Sequence, residues 1–203
     1  MPKLNRSFLA VALLGALALA ACGKTGGAIS AEDMQLGDAK AKVSFVEYAS
    51  ASCPHCARFN NDVFPEFKKK YIDTGKVHYT FKEFLTPPNE MAAAGFLTAR
   101  CMGKDKYFAA LDSIFHSQID IIQSGDYRGG LLKIAQGGGM TEKQFDACIT
   151  NETALKALNT RVEKAEKDDH ITGTPTFMVN GKQIASGEVS MAQLDAAVAE
   201  ASK

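Results

Sequence analysis

The tetrapeptide Cys53-Pro54-His55-Cys56 sits between an apolar run and an amphipathic helical pattern, and that junction constrains the fold more than any other feature of the chain. The run Lys42–Tyr48 (Lys-Val-Ser-Phe-Val-Glu-Tyr) reads as a buried strand, because Val43, Phe45 and Val46 are β-formers on both faces. Past Cys56, the residues Phe59, Val63, Phe67 and Tyr71 recur at four-residue steps, which is one stripe of a helix, with Pro65 expected to bend it. A strand feeding a helix in this way puts Cys53 at the helix N-terminus. There the unpaired N–H groups and the positive end of the dipole favour a thiolate over a thiol. A Cys-x-x-Cys pair on such a turn can act as a redox couple.

The first residues read as an export signal: Lys3 and Arg6, then an uncharged apolar stretch from Phe8 to Ala21. A membrane-spanning helix needs about 20 apolar residues, and this run is shorter and ends in small residues. Leu19-Ala20-Ala21-Cys22 resembles the lipobox of bacterial lipoproteins, which implies cleavage after residue 21 and lipidation of Cys22. Gly23 after that cysteine resembles the outer-membrane sorting pattern of Gram-negative lipoproteins. The expected location is therefore the periplasm or cell envelope, anchored to a membrane by lipid, with the outer membrane favoured. Residues 22–36 begin small and polar and are expected to form a flexible tether.

Of 203 residues, removal of the first 21 leaves 182, enough for one domain with a sizeable core. The whole chain carries 23 basic and 23 acidic side chains; without Lys3 and Arg6 the balance is 21 against 23, which gives no footprint for nucleic acid. Val77–Phe84 has the β-branched and aromatic content of a second strand, closed by Pro87-Pro88. From Asn89, a candidate N-cap, to His170 the pattern is helical, with a break at Gly137-Gly138-Gly139, a short helix beginning at Thr141–Glu142 and running through Cys148, and a cap expected at Asn151. Thr176–Val179 and Lys182–Ser186 flank Asn180-Gly181, a strong hairpin signal, and Met191–Ala201 forms a last helix. The order is strand, helix, strand, helical excursion, hairpin, helix. That is an α/β, thioredoxin-like plan: a mixed central sheet in a domain spanning 37–203, its core from 37–86 and 171–203, and an all-helical insertion over 87–170.

Other roles for a Cys-x-x-Cys pair fit less well. Haem attachment needs a His after the second cysteine, where Ala57 stands, and structural zinc needs four ligands, for which no second pair has suitable spacing. No cofactor and no metal are expected. Glu47 is a carboxylate in an otherwise apolar strand, a candidate proton acceptor or electrostatic tuner near Cys56, with Lys82 a candidate charge partner. His55, between the cysteines, could stabilise a Cys53 thiolate through an N–H or an imidazolium. Cys101 and Cys148 fall in predicted helices of the insertion and, outside the cytoplasm, are expected to pair as a structural disulfide.

Cys53-Pro54-His55-Cys56, the segment Gly173-Thr174-Pro175-Thr176-Phe177 followed by Asn180-Gly181, and Glu47 six residues before the first cysteine together resemble the DsbA-like thiol:disulfide oxidoreductases of the thioredoxin superfamily. The resemblance runs from about Met34 to the C-terminus. It implies that Cys53 is the exposed nucleophilic sulfur and Cys56 its buried partner. It also implies that Pro175 is cis and faces them, with Thr174 offering its backbone to a substrate peptide and Gly173 allowing a tight approach. The implied activity is the introduction of disulfides into exported thiol-containing proteins, with a DsbB-like membrane protein as reoxidant. The best-known oxidase of the family has Val where Thr174 stands, whereas related isomerases have Thr, so an isomerase or reductase kept reduced by a membrane donor is the alternative. A non-catalytic metal-delivery module using Cys53, Cys56 and a His is the alternative from another class.

Overall fold

The computed structural model describes residues 27–203. The readings placed on the export signal and on Cys22 lie outside the described residues. Strand β1 (Met34–Leu36) opens the sheet, followed by β2 (Val43–Ala49) and β3 (Val77–Glu83), then β4 (Thr176–Val179) and β5 (Lys182–Ser186) after the helices. The strand order is β1-β3-β2-β4-β5, with β2 and β3 parallel and every other pair antiparallel. This is the mixed sheet that the strand-helix-strand unit and the Asn-Gly hairpin lead one to expect. Asn180 and Gly181 both have positive φ, 48° and 78°, as a two-residue hairpin turn requires.

Between β2 and β3 the chain is helical from Pro54 to Ile72: α1 (Pro54–Arg58), a π-helical turn (Phe59–Val63), α2 (Phe64–Phe67) and a second π-helical turn (Lys68–Ile72). In an α-helix a four-residue step overshoots a full turn by about 40°, so a strict four-residue stripe would wind off one face. The widened turns take up that excess, and Phe59, Phe67 and Tyr71 all stay buried. Pro65, which lacks an N–H, is the second residue of α2, just past the first widened turn.

The insertion consists of α3 (Asn89–Cys101), α4 (Lys104–Ser124), α5 (Tyr127–Gly137), α6 (Glu142–Ile149) and α7 (Glu152–Lys167), and α8 (Met191–Ala201) ends the fold. Asn151 accepts from the Ala154 amide, so the cap expected there is made, and Thr141, where the short helix begins, closes a full capping box with Gln144. The N-cap of α3 is Pro88, with Asn89 already inside the helix, one residue from expectation.

One face of the sheet is lined by aromatic side chains. Phe45 packs on Phe67 with ring centroids 4.6 Å apart, Phe177 on Phe59 at 4.6 Å and Tyr79 on Phe64 at 5.0 Å. The same face carries the insertion: Phe81 meets Phe96 and Tyr107, and Tyr79 meets Phe108. The insertion is thereby part of one continuous core with the strands that hold the cysteines.

The tether expected to run to residue 36 ends earlier. Met34–Leu36 pairs with Tyr79–Phe81, and Met34 is buried. Upstream, the Gly27 amide donates to Asp169 and Lys82 donates to the Ala28 carbonyl. Three strand residues with one apolar anchor carry too short a periodicity to read as a strand in sequence; β3 supplies the partner that makes them one.

Candidate active site

The turn between β2 and α1 holds Cys53 by its backbone. Its N–H donates to the Ser50 carbonyl at 3.1 Å, it forms the N-cap of α1 with φ −82° and ψ 120°, and Pro54 takes the first helical position. Ser52 Oγ donates to the Thr86 carbonyl at 2.6 Å and the Thr86 amide to Ser50 Oγ at 3.2 Å, tying the turn to the loop after β3. From the insertion, Gln118 Nε2 donates to the carbonyls of Ala51 at 2.8 Å and Cys53 at 3.1 Å, with the Gln118 side chain fully buried. Gln118 went unread in sequence: a polar residue on an α-helix gives no signal that it reaches a turn 65 residues away.

Cys53 and Cys56 are both thiols in this structure. Both cysteines are buried, Cys53 at 6% exposed and Cys56 at 0%, so the exposed Cys53 that the resemblance implies is largely covered here, with Cys56 the deeper of the two. The Thr174–Pro175 bond is cis, and Cys53 Sγ donates to the Thr174 carbonyl at 3.3 Å, so the loop before β4 lies against the sulfur. The Thr174 hydroxyl is buried without a partner while Cys53 is a thiol, and it can donate once Cys53 is a thiolate. The Pro175 carbonyl accepts from the Gly187 amide at 2.7 Å, which fixes this loop to the one after β5. Gly173 does not provide the close approach expected of it: a Cβ there would meet nothing within 4 Å.

The fold splits the two sulfurs. The Cys53 thiol is lowered from 9.0 to about 5, first by a hydrogen bond from Cys56, then by Thr174 and the backbone amides of Cys56 and His55, against the opposing effect of burial. Cys56 is pushed well above 9.0, chiefly by burial and by its bond to the Cys53 sulfur. Glu47 sits on the aromatic face between Phe81 and Phe177, its cross-strand neighbours, and is 2% exposed. Tyr79, diagonal to it on β3, donates its hydroxyl to Glu47 Oε2 at 2.6 Å. Burial outweighs that bond and raises the carboxyl from 4.5 to about 8, with the charge on Cys53 adding to the rise. The negative field of Glu47 in turn adds to the rise at Cys56.

Two expectations are corrected by geometry. Lys82 is not the partner of Glu47: it lies opposite Tyr48, one residue out of phase, so it points to the other face of the sheet, 3.6 Å from Asp169 and 3.8 Å from Asp33. The His55 imidazole is turned to solvent and bonded through Nδ1 to Glu188 at 2.9 Å, and Arg58 meets the same carboxylate at 2.8 Å. The His55 backbone amide, by contrast, is among the groups that lower the Cys53 thiol. Cys101 and Cys148 are joined by a disulfide, with Cα atoms 6.3 Å apart, linking α3 to α6. Among the described residues no cluster of three or more His, Cys, Asp or Glu side chains is arranged to hold a metal ion, and no helix is long and apolar enough to cross a membrane.

A mixed sheet with a Cys-x-x-Cys pair at a helix start, the first sulfur against the residue before Pro175, defines a thioredoxin-class dithiol protein. The sequence model described as Thioredoxin matches residues 30–200. A Rickettsia conorii protein, provisionally named a protein-disulfide oxidoreductase, is 38% identical over 170 residues, 83% of this chain and 60% of that one. Disulfide bond formation protein D of Bacillus subtilis is 31% identical over 159 residues, 73% of this chain and 68% of that one. Among solved structures, Wolbachia pipientis alpha-DsbA1 superposes with a TM-score of 0.78 at 26% identity, over 86% of this chain and 92% of that one. The chain belongs to the thioredoxin family, and the relatives it matches carry the names protein-disulfide oxidoreductase, disulfide bond formation protein and, among solved structures, DsbA. It spans about 60% of the length of the Rickettsia relative.

Proposed function

We propose that the protein is a cell-envelope thiol:disulfide oxidoreductase that introduces disulfides into exported proteins, with Cys53 as the exchanging sulfur and Cys56 as its internal partner. The observation that carries this reading is the split between the two thiols: Cys53 lowered to about 5 beside Thr174 and Pro175, and Cys56 buried with its proton held tightly. A stable Cys53 thiolate stabilises the reduced protein and so makes its disulfide a stronger oxidant, and it makes Cys53 a good leaving group. A substrate thiolate attacks Cys53 Sγ of the Cys53–Cys56 disulfide, the electron pair leaves on Cys56, and Glu47 supplies a proton to it. A second substrate thiolate then attacks its own partner sulfur and releases Cys53 as a thiolate. The Thr174 backbone, already against Cys53, is where an extended substrate would pair, and its hydroxyl is a donor to the thiolate. His55 acts through its backbone amide, and its imidazole, paired with Glu188, forms the rim of the site.

The Leu19-Ala20-Ala21-Cys22 motif supports lipid anchoring through Cys22, with the outer membrane favoured, and a DsbB-like membrane protein is the proposed reoxidant. Thr174, which matches the isomerase-type residue, favours the second reading, an isomerase or reductase kept reduced by a membrane donor. The test uses the oxidised protein and a peptide carrying two thiols. Stoichiometric oxidation of the peptide is expected, with no activity in Cys53→Ser and an accumulating mixed disulfide on Cys53 in Cys56→Ser. A Cys53→Ser variant that oxidises the peptide at the original rate contradicts the assignment.

A further inference from the structure

We propose that Tyr79 is the positioning residue of this site, holding the buried Glu47 carboxyl in the orientation and acidity that let it pass a proton to Cys56 as the disulfide opens. The inference rests on the proposed oxidoreductase reading and deepens it.

Among the described residues no cation pairs with Glu47. Lys82 lies on the opposite face of the sheet, and the Glu47 flanks across the ladder are Phe81 and Phe177. Phe64 from α2 and Phe108 from α4 pack on the Tyr79 ring and enclose the pair. The titratable groups that act on the Glu47–Tyr79 pair are Cys53 and Cys56 from α1 and, beyond the Tyr79 hydroxyl, Tyr107 from α4. A carboxylate left alone in such surroundings would be costly, so it would keep its proton. The Tyr79 hydroxyl, 2.6 Å from Oε2 and itself 2% exposed, is the donor that makes the charged form tolerable.

The step balances around that bond. When a substrate thiolate attacks Cys53 Sγ, the Cys53–Cys56 bond breaks as the substrate–Cys53 bond forms, and the electron pair goes to Cys56 Sγ. Cys56 is 0% exposed and binds a proton tightly, so a buried donor is needed there. The Glu47 carboxyl gives up its proton, directly or through one water, and is left as a carboxylate that accepts the Tyr79 hydrogen bond. In the reverse direction the same carboxylate takes the Cys56 proton. Tyr79 touches neither sulfur nor substrate in this scheme; it sets how readily Glu47 releases and recovers the proton.

Sequence offers a tyrosine on an apolar strand, which reads as core. What marks it here is the hydroxyl aimed at the one carboxylate on this part of the sheet that no cation meets.

The test is a carbon-13 NMR titration of the Glu47 carboxyl in the oxidised protein, assigned by its loss in Glu47→Gln, paired with the pH profile of dithiol-peptide oxidation. Tyr79→Phe removes only the hydroxyl and should move the Glu47 midpoint up by about one to two pH units, carrying the profile of the oxidation step with it. If Tyr79→Phe does not fold, replacing tyrosine by 3-fluorotyrosine, which strengthens the donor, should move the midpoint down. A midpoint that stays put in the folded variant overturns the proposal, even if the rate falls, because a merely structural role would change the rate alone. A wild-type protein that oxidises no dithiol defeats the functional reading instead, and the NMR midpoint still decides the role of Tyr79.

Discussion

Cys53 and Cys56 are the same side chain within one turn of a helix, yet their surroundings drive their proton affinities apart. Cys53 is lowered by the Cys56 thiol, Thr174 and two backbone amides, which outweigh its burial. Cys56 is in the core, where the loss of solvent outweighs the one opposing contribution, a backbone hydrogen bond at Ser50. Alkylation of the reduced protein is therefore expected at Cys53 alone at neutral pH, with a thiolate midpoint near 5, read by ultraviolet absorbance of the thiolate. Thr174→Val, which removes a donor, should raise that midpoint; a lower or unchanged value would deny the hydroxyl its role. The linkage sign follows. Between about 5 and 9.0 the folded reduced protein holds a Cys53 thiolate where the unfolded chain holds a thiol, so the unfolded state binds more protons and stability rises with pH. The oxidised protein lacks this contribution. Glu47, raised to about 8 chiefly by burial, acts oppositely, costing stability as pH rises from 4.5. Urea titrations should thus show the reduced form gaining on the oxidised form as pH climbs through this window. At this scale the cysteines, Thr174, Pro175 and Glu47 were legible, because each breaks a local pattern. Tyr79 and Gln118 were not, because each fits its own element and acts only through a contact distant in sequence.

Elements deliver these residues, and most were readable from periodicity and caps. The strands at Val43, Val77, Thr176 and Lys182, the Asn-Gly turn, the short helix from Thr141, the Asn151 cap and the final helix all follow local chemistry. The four-residue stripe after Cys56 was also legible, but not the π-helical turns that keep it on one face, since their cause is packing against the sheet rather than residue propensity. β1 exists only because β3 offers an edge. The insertion reads as a separate helical excursion, yet α4 reaches the reactive turn through Gln118. Gln118→Ala should strip the Ala51 and Cys53 carbonyls of their buried donor and destabilise the protein by about 1–3 kcal/mol. It should also weaken the hold on the Cys53 turn and shift the thiolate midpoint. A variant that unfolds at the wild-type urea concentration would show that the insertion does not support the site.

For the molecule as a whole, two cross-links join distant parts. The Cys101–Cys148 disulfide closes a 47-residue separation between α3 and α6. Replacing both by Ala is expected to lower unfolding free energy by about 2–4 kcal/mol, measurable by urea denaturation. Glu83, 1% exposed, receives Arg100 at 2.6 Å, Tyr107 at 3.0 Å and Arg161 at 2.6 Å, so one carboxylate clamps β3 to α3, α4 and α7. Glu83→Ala would strand two partly buried guanidinium groups and should cost about 3–5 kcal/mol; a loss under about 1 kcal/mol, the scale of surface pairs, would deny the clamp its role. These links hold the insertion as a rigid wall on which the turn carrying Cys53 rests. The direction of electron flow is set by the reduction potential of the Cys53/Cys56 pair, whose measurement tests the oxidase assignment most directly. Equilibration with glutathione, followed by gel-shift trapping of thiols because the chain has no Trp, should place it near the reference value of about −120 mV for DsbA. A value near the thioredoxin reference of about −270 mV would contradict an oxidase.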